Sequence, residues 1–213
     1  QSIKLGFTAT PMYSDEKQVA DLLNTEIHKM TIKEAVEQDL LCPFSAIIAE
    51  TSVDITNISI KSNGDYDDNE LEQAINVASR NQAAIDLYQR LFPNQTAVAY
   101  CISVKHAQEL AKLFTENGVA ADFVSGYQDK KVQAETLRRY HEGEIKVLCN
   151  ADLLIEGFDE PRASICLNVR PTKSLVVAQQ RAGRTLRLDP DNPNKHAVIV
   201  DFLDKTQDPK KYP

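Results

Sequence analysis

Thr96-Ala97-Val98-Ala99-Tyr100-Cys101-Ile102 runs straight into Ser103-Val104-Lys105-His106-Ala107-Gln108-Glu109-Leu110-Ala111-Lys112-Leu113-Phe114. The first run is apolar without alternation, as a parallel strand buried on both faces requires. The second changes period. Ala107, Leu110, Ala111 and Phe114 share one helical face, Ser103 can cap its start, and Gly118 stops it. The same unit then recurs. Residues 119–124 read as a strand, Asp129 can cap a helix through Tyr140, and 145–149 read as a strand. Residues 163–169 form another, Ser174 can open a helix through Ala182, and 197–203 form the last. This rhythm predicts an α/β fold, a parallel sheet with helices on both faces.

Residues 1–94 are less regular. Helical spacing marks 16–24 and 32–38, and Pro43 interrupts the chain. Residues 45–49 and 53–60 read as strands, the second with imperfect alternation. Ser62-Asn63-Gly64-Asp65 reads as a turn. Residues 71–91 read as one long helical region that Pro93 ends.

With 213 residues the chain can bury a substantial core. It has no apolar run long enough to span a membrane and no signal peptide. Cys42, Cys101, Cys149 and Cys166 are widely spaced, which suits reduced core thiols in a cytoplasmic protein better than a zinc site or disulfides. His28, His106, His141 and His196 share no ligand spacing, so no metal site is expected; surface or helix-end positions suit most of them. The net charge of −7 argues against indiscriminate nucleic-acid binding but leaves room for a local basic groove. Asp65, Asp67, Asp68, Glu70 and Glu72 cluster in the first half; Lys130, Lys131, Arg138, Arg139, Arg162, Arg170 and Lys173 fall in the second. Most of these read as solvated faces. The tyrosines and phenylalanines are scattered and form no base-stacking platform.

The chemistry concentrates near the end. Gln180-Arg181-Ala182-Gly183-Arg184-Thr185-Leu186-Arg187 places two arginines three apart, just past a glycine. Each guanidinium is a permanently charged fork that matches a phosphate. The plain alternative is a helix end whose cations complement the dipole. Upstream, Asn150-Ala151-Asp152-Leu153-Leu154-Ile155-Glu156-Gly157-Phe158-Asp159 follows a predicted strand, where open α/β sheets bind ligands.

These two segments, in this order, resemble motifs V and VI of superfamily 2 helicases. Residues 96–103 are similar to motif IV, and Val124-Ser125-Gly126 resembles the family's turn against the nucleic-acid backbone. Gly6-Phe7-Thr8-Ala9-Thr10-Pro11 resembles motif III. Residues 27–35 and 41–44 are similar to the inter-domain stretch of type I restriction motor subunits and excision-repair-like helicases. The resemblance implies a RecA-like (P-loop NTPase-like) parallel sheet with an N-terminal linker segment. It divides the chain into a remnant of a first RecA-like domain (1–11), a linker with the start of the second domain (12–94) and a helicase C-terminal core (95–213). It also implies roles. Arg184 and Arg187 would be arginine fingers. Gly157, Asp159 and Gln180 would line ATP. Thr8 and Thr10 would couple hydrolysis to movement, and Ser103, Ser125 and Gly126 would touch DNA or RNA.

The phosphate-cradling loop with its lysine and an Asp-Glu magnesium motif are both missing. In the family both precede motif III. The expectation is a fragment that needs the N-terminal helicase lobe for ATP and Mg2+ and is inactive alone. In motif V, Ala151 replaces the usual threonine. Two alternatives stand beside a helicase: the motor subunit of a restriction nuclease, and a non-catalytic RecA-like binding module. A generic dinucleotide enzyme lacks support, because no Gly-rich fingerprint is present.

Overall fold

The computed structural model describes residue 6 and residues 28–151 and 160–205. In chain order the elements are α1 (Ile32–Glu37), β1 (Phe44–Glu50), α2 (Asp68–Ile75), α3 (Ala78–Leu91), β2 (Ala97–Tyr100) and α4 (Val104–Glu116). Then come β3 (Ala121–Ser125), α5 (Lys130–His141), β4 (Val147–Ala151), β5 (Ile165–Asn168), α6 (Leu175–Thr185) and β6 (Ala197–Leu203). The strands form one six-stranded sheet in the order β1-β6-β5-β2-β4-β3, every pairing parallel.

Parallel neighbours need crossovers, and the helices supply them on both faces. Alternation along each strand sorts the side chains. Ala97, Ala99, Val147, Cys149, Ile165, Leu167 and Val200 pack with Leu87 and Tyr88 of α3 and Leu110 and Phe114 of α4. Val98, Tyr100, Leu148, Cys166 and Ile199 face the other way, toward Tyr140 of α5 and Leu186 at the end of α6. Tyr88 and Phe114 meet edge to face at 5.6 Å. Burying each such large side chain stabilises the fold by about 1.5–3 kcal/mol. The caps expected at Ser103, Asp129 and Ser174 are all formed, accepting from the backbone N–H of His106, Lys131 and Val177.

The central strand β2 pairs with β4 on one side and β5 on the other. The chain therefore leaves β2 in one direction and later crosses to its other flank. In open α/β sheets such a reversal marks the ligand side, beyond the carboxyl ends of β2 and β5.

Three local readings need correction. Residues 53–60 are not a strand. Asp54 accepts from the N–H and hydroxyl of Thr56, and the Ile58 N–H donates to the Ile55 carbonyl. These local bonds turn the backbone away from a ladder, and Ile55 instead joins Tyr66, Leu71, Ile75 and Ile102 in a small separate core. Residues 71–91 are not one helix. Val77 is extended and starts α3, while the Asn76 side chain donates to Glu109 of α4 at 2.6 Å. The helix expected to end at Ala182 continues through Thr185, so Gly183 and Arg184 are helical. The helical spacing at 16–24 lies outside the described residues.

Candidate functional site

The carboxyl edge is organised by buried ionic contacts. Arg80, at the start of α3, grips Asp204 with two bonds of 3.1 and 3.2 Å. Its third arm donates to the Val169 carbonyl just past β5, at 2.5 Å. The Thr51 hydroxyl, just past β1, also donates to Asp204. The ends of β1, β5 and β6 are thus fixed to one another.

The N-terminal side of α6 is set by residues far away in sequence. Asp65 is buried and accepts from the Thr172 hydroxyl and the Lys173 N–H, both at 2.9 Å. Arg170 donates to Asp68 at 2.8 Å, and the Lys173 ammonium stands 5.1 Å over the Tyr66 ring. The acidic cluster is therefore only partly a solvated face: Asp65 anchors the approach to α6. Glu72 is likewise engaged, accepting from the Ser103 hydroxyl at 2.6 Å.

On the sheet face beneath α6, the apolar pattern gives way to polar residues at the carboxyl end. Asn168 donates to Asp201 at 2.8 Å across the β5–β6 register. Tyr100 and Asn150 lie opposite each other on β2 and β4. Arg181 rests on this layer, buried, its guanidinium 5.4 Å from the Tyr100 ring centre and donating to the Arg170 carbonyl at 3.0 Å. Burial lowers the Arg181 pKa, and the Arg170 charge lowers it further. Burial raises that of Asp201, a shift that Asn168 and Arg181 oppose. Tyr100 is pushed up by burial and by Cys166, against the positive charges of Arg181 and Arg184. Arg170, Arg181 and Arg184 thus come together around this polar layer, beside the carboxylates of Asp65, Asp68 and Asp201.

Gln180 and Arg184 lie on α6 and Arg187 just beyond its end, all half-buried rather than fully exposed. A methyl group at Gly183 would meet nothing within 4 Å. The carbonyl of Arg187 is held by Lys195, a residue only 4% exposed. Lys195 donates to that carbonyl at 2.8 Å and to the Pro161 carbonyl at 2.6 Å. One buried cation therefore ties the end of the arginine segment to the chain just after Asp159. Glu160 is buried beside this tie, accepting from the Arg162 N–H at 3.1 Å and lying 2.8 Å from His141. Sequence reading missed Lys195, because an isolated lysine before a strand carries no pattern.

The remaining expected residues separate. Ser103 caps α4 by accepting from the His106 N–H and donates to Glu72. Ser125 is buried, and Gly126 is exposed at the edge. Gly157, Asp159, Thr8 and Thr10 lie outside the described residues. His106 stands at a helix end, in the first turn of α4, but does not face solvent. It is fully buried, its Nδ1 accepting from the Ile102 N–H and its Nε2 facing Asn81 Oδ1 at 3.0 Å. Among the described residues no group of three or more His, Cys, Asp or Glu side chains could hold a metal ion, and no helix is long and apolar enough to cross a membrane.

Comparison with known proteins gives the family and the fold. The helicase conserved C-terminal domain family matches residues 79–189. A 51.5 kDa protein of a Lactococcus phage is 33% identical over 198 residues, covering 93% of this chain and 42% of that protein. IRC3 of Saccharomyces cerevisiae, named as an ATP-dependent helicase, is 25% identical over 202 residues, covering 93% of this chain and 29% of that protein. Among solved structures, a fragment of an HsdR subunit of a type I restriction enzyme from Vibrio vulnificus shares the fold. Its TM-score is 0.69 at 18% identity, over 92% of this chain and 38% of that one. The chain spans less than half the length of these curated relatives.

Proposed function

Because the chain belongs to the helicase conserved C-terminal domain family, we propose that it is the second lobe of an ATP-dependent nucleic-acid helicase or translocase. ATP is the substrate, held in a cleft that closes between this lobe and an N-terminal one. Arg184 and Arg187 enter that cleft as arginine fingers and stabilise the charge that develops on the terminal phosphate. Gln180, Gly157 and Asp159 line the nucleotide. DNA or RNA runs over the carboxyl edge near Gly126, and Thr8 and Thr10 couple hydrolysis to its movement. Mg2+ is held by the N-terminal lobe, and no step on this one depends on it. Alone, this lobe is inactive. Four buried free thiols suit work in a reducing cytoplasm.

The observation that carries this is the Lys195 tie. It holds the end of the arginine segment against the chain that leads into β5, at the amino ends of β5 and β6, and so fixes the far end of the helix that carries Arg181 and Arg184. A pair of fingers acts on a transition state only if its mounting is rigid. The fold shared with the HsdR fragment also favours a second reading, the translocating motor of a restriction enzyme. Both require the same fingers.

The test is nucleic-acid-stimulated ATP hydrolysis by the full-length protein. Arg184→Ala or Arg187→Ala should lower kcat by roughly a thousandfold or more, with much smaller changes in ATP affinity. Lysine should not restore the rate, since a point charge cannot reproduce the fork. Alanine variants that hydrolyse ATP normally but melt early would leave only the helix-end role.

A further inference from the structure

The carboxyl edge ends, at the outermost strand β3, in a bare aromatic ring. Tyr127 is 93% exposed, whereas the next most exposed large apolar residue among those described, Leu40, reaches 54%. Leaving a ring of this size in water forgoes about 1.5–3 kcal/mol of burial. The turn that presents it is braced rather than loose. The Ser125 N–H donates to Gln128 Oε1 at 2.9 Å. The Gln133 amide reaches back from α5 and donates to the Ser125 carbonyl at 2.7 Å and to the Gln128 carbonyl at 3.1 Å. Gln133 is itself buried, so the brace is part of the packed domain.

Two cations stand beside the ring. Lys33, Lys105 and Lys112 each face a glutamate four residues on. Lys130 and Lys131 begin α5, three and four positions after Tyr127, and both are exposed. Neither has an ion pair among the described residues; the Lys130 ammonium only meets the Gln133 amide oxygen at 3.2 Å. In a chain of net charge −7, this short stretch sets a projecting aromatic face beside two cations that form no ion pair among the described residues, against the one carboxylate of Asp129 that caps α5.

We propose that Tyr127 is a stacking contact for an unpaired base of single-stranded nucleic acid, with Lys130 and Lys131 neutralising the flanking phosphates. This rests on the assignment of the chain to a nucleic-acid motor, and it adds a specific ligand. A ring on a rigid turn can lie against a base only where that base is unstacked; a duplex offers it phosphates and sugars. Stacking on an aromatic ring tolerates any base, as a motor that moves along a strand requires. The scattered aromatics of the sequence form no platform, yet the fold places one of them alone at the edge.

The experiment uses the full-length protein. Fluorescence anisotropy measures its affinity for a short mixed-sequence single strand and for the matching duplex. Tyr127→Ala should weaken single-strand binding by about 5- to 150-fold, the range for one stacked base. Tyr127→Phe should stay within about twofold, because the ring face remains. Duplex affinity should not change. Lys130→Gln and Lys131→Gln should each flatten the single-strand salt dependence, by about 0.7 in the log–log slope. A base analogue whose fluorescence is quenched by stacking should be quenched by wild type and by Tyr127→Phe, and not by Tyr127→Ala. The melting temperature serves as the control for folding. Single-strand affinity of Tyr127→Ala equal to wild type, or an equal loss on duplex, would overturn the stacking assignment alone. A wild-type protein that binds no nucleic acid would overturn the motor assignment with it.

Discussion

Arg80 offers the most demanding test of how the site edge is built. Arg80 and Asp204 are buried, their side chains 1% and 0% exposed. The guanidinium makes a two-pronged bond to the carboxylate, a third bond to the Val169 carbonyl, and stacks 5.5 Å from the Phe202 ring centre. Arg80→Met keeps most of the volume and removes every one of these donors. Asp204 then retains the Thr51 hydroxyl but loses its counter-charge in a dry setting. Breaking a buried pair from one side costs about 3–5 kcal/mol. With a urea slope of about 2 kcal/mol per molar, the unfolding midpoint should fall by roughly 1.5–2.5 M. Asp204→Asn in the same background removes the stranded charge, so the double variant should be more stable than Arg80→Met alone by about 2 kcal/mol. Urea titrations followed by circular dichroism give all four corners of the cycle. An Arg80→Met midpoint within about 0.5 M of wild type, or a double variant no better than the single, would refute the uncompensated charge as the cause.

Gly183 sits in the interior of α6 with open space around it, so Gly183→Ala should stabilise the isolated chain by about 0.5–1 kcal/mol, read as a higher melting temperature. Destabilisation would mean that a contact beyond those described fills that space. His106 is held by burial, with a further push from Arg80, at a pKa of about 3 against 6.5 for an unperturbed side chain. Between those values the unfolded chain binds a proton that the native chain refuses, so stability should drop as pH falls from 6.5 toward 3. His106→Gln should flatten that slope, and an unchanged slope would assign it to other groups. Burial pushes the Cys166 thiol up to about 12 and raises Cys149 as well, so neither should react with a thiol-specific disulfide reagent at pH 8 in the native state. Rapid native labelling of either would show that the sheet opens.

The core of the fold was legible because parallel strands announce themselves. An unbroken apolar run such as 96–102, followed by a capped amphipathic helix, admits few other structures. The extra region between β1 and α3 was not. Ile55 and Ile58 suggest strand alternation, but Asp54 and Thr56 bond locally and the apolar groups feed a separate small core. Pattern also exposes only one side of an interaction. The arginine segment could be read from Gln180 to Arg187, yet the lysine that holds it comes eight positions after Arg187 and reaches 34 positions back to Pro161. Ser103 could be read as a helix cap, and it is one. That its hydroxyl also serves Glu72, 31 positions away, depends on how α2 packs, which no local spacing encodes.

The edge strand β1 bonds within the sheet only to β6, and that pairing joins nearly the two extremes of the described chain. Ser45 and His196 lie 2.8 Å apart across 151 positions of sequence. During synthesis, β1 leaves the ribosome long before its partner exists. At about 5–20 residues per second the wait is roughly 8–30 seconds. Throughout it, Phe44 and Ile48, still 41% and 52% exposed in the finished fold, sit on a strand with no neighbour. Among the described residues β6 therefore closes the sheet, and shortening the chain before Ala197 would leave β1 as a free template for pairing with other chains.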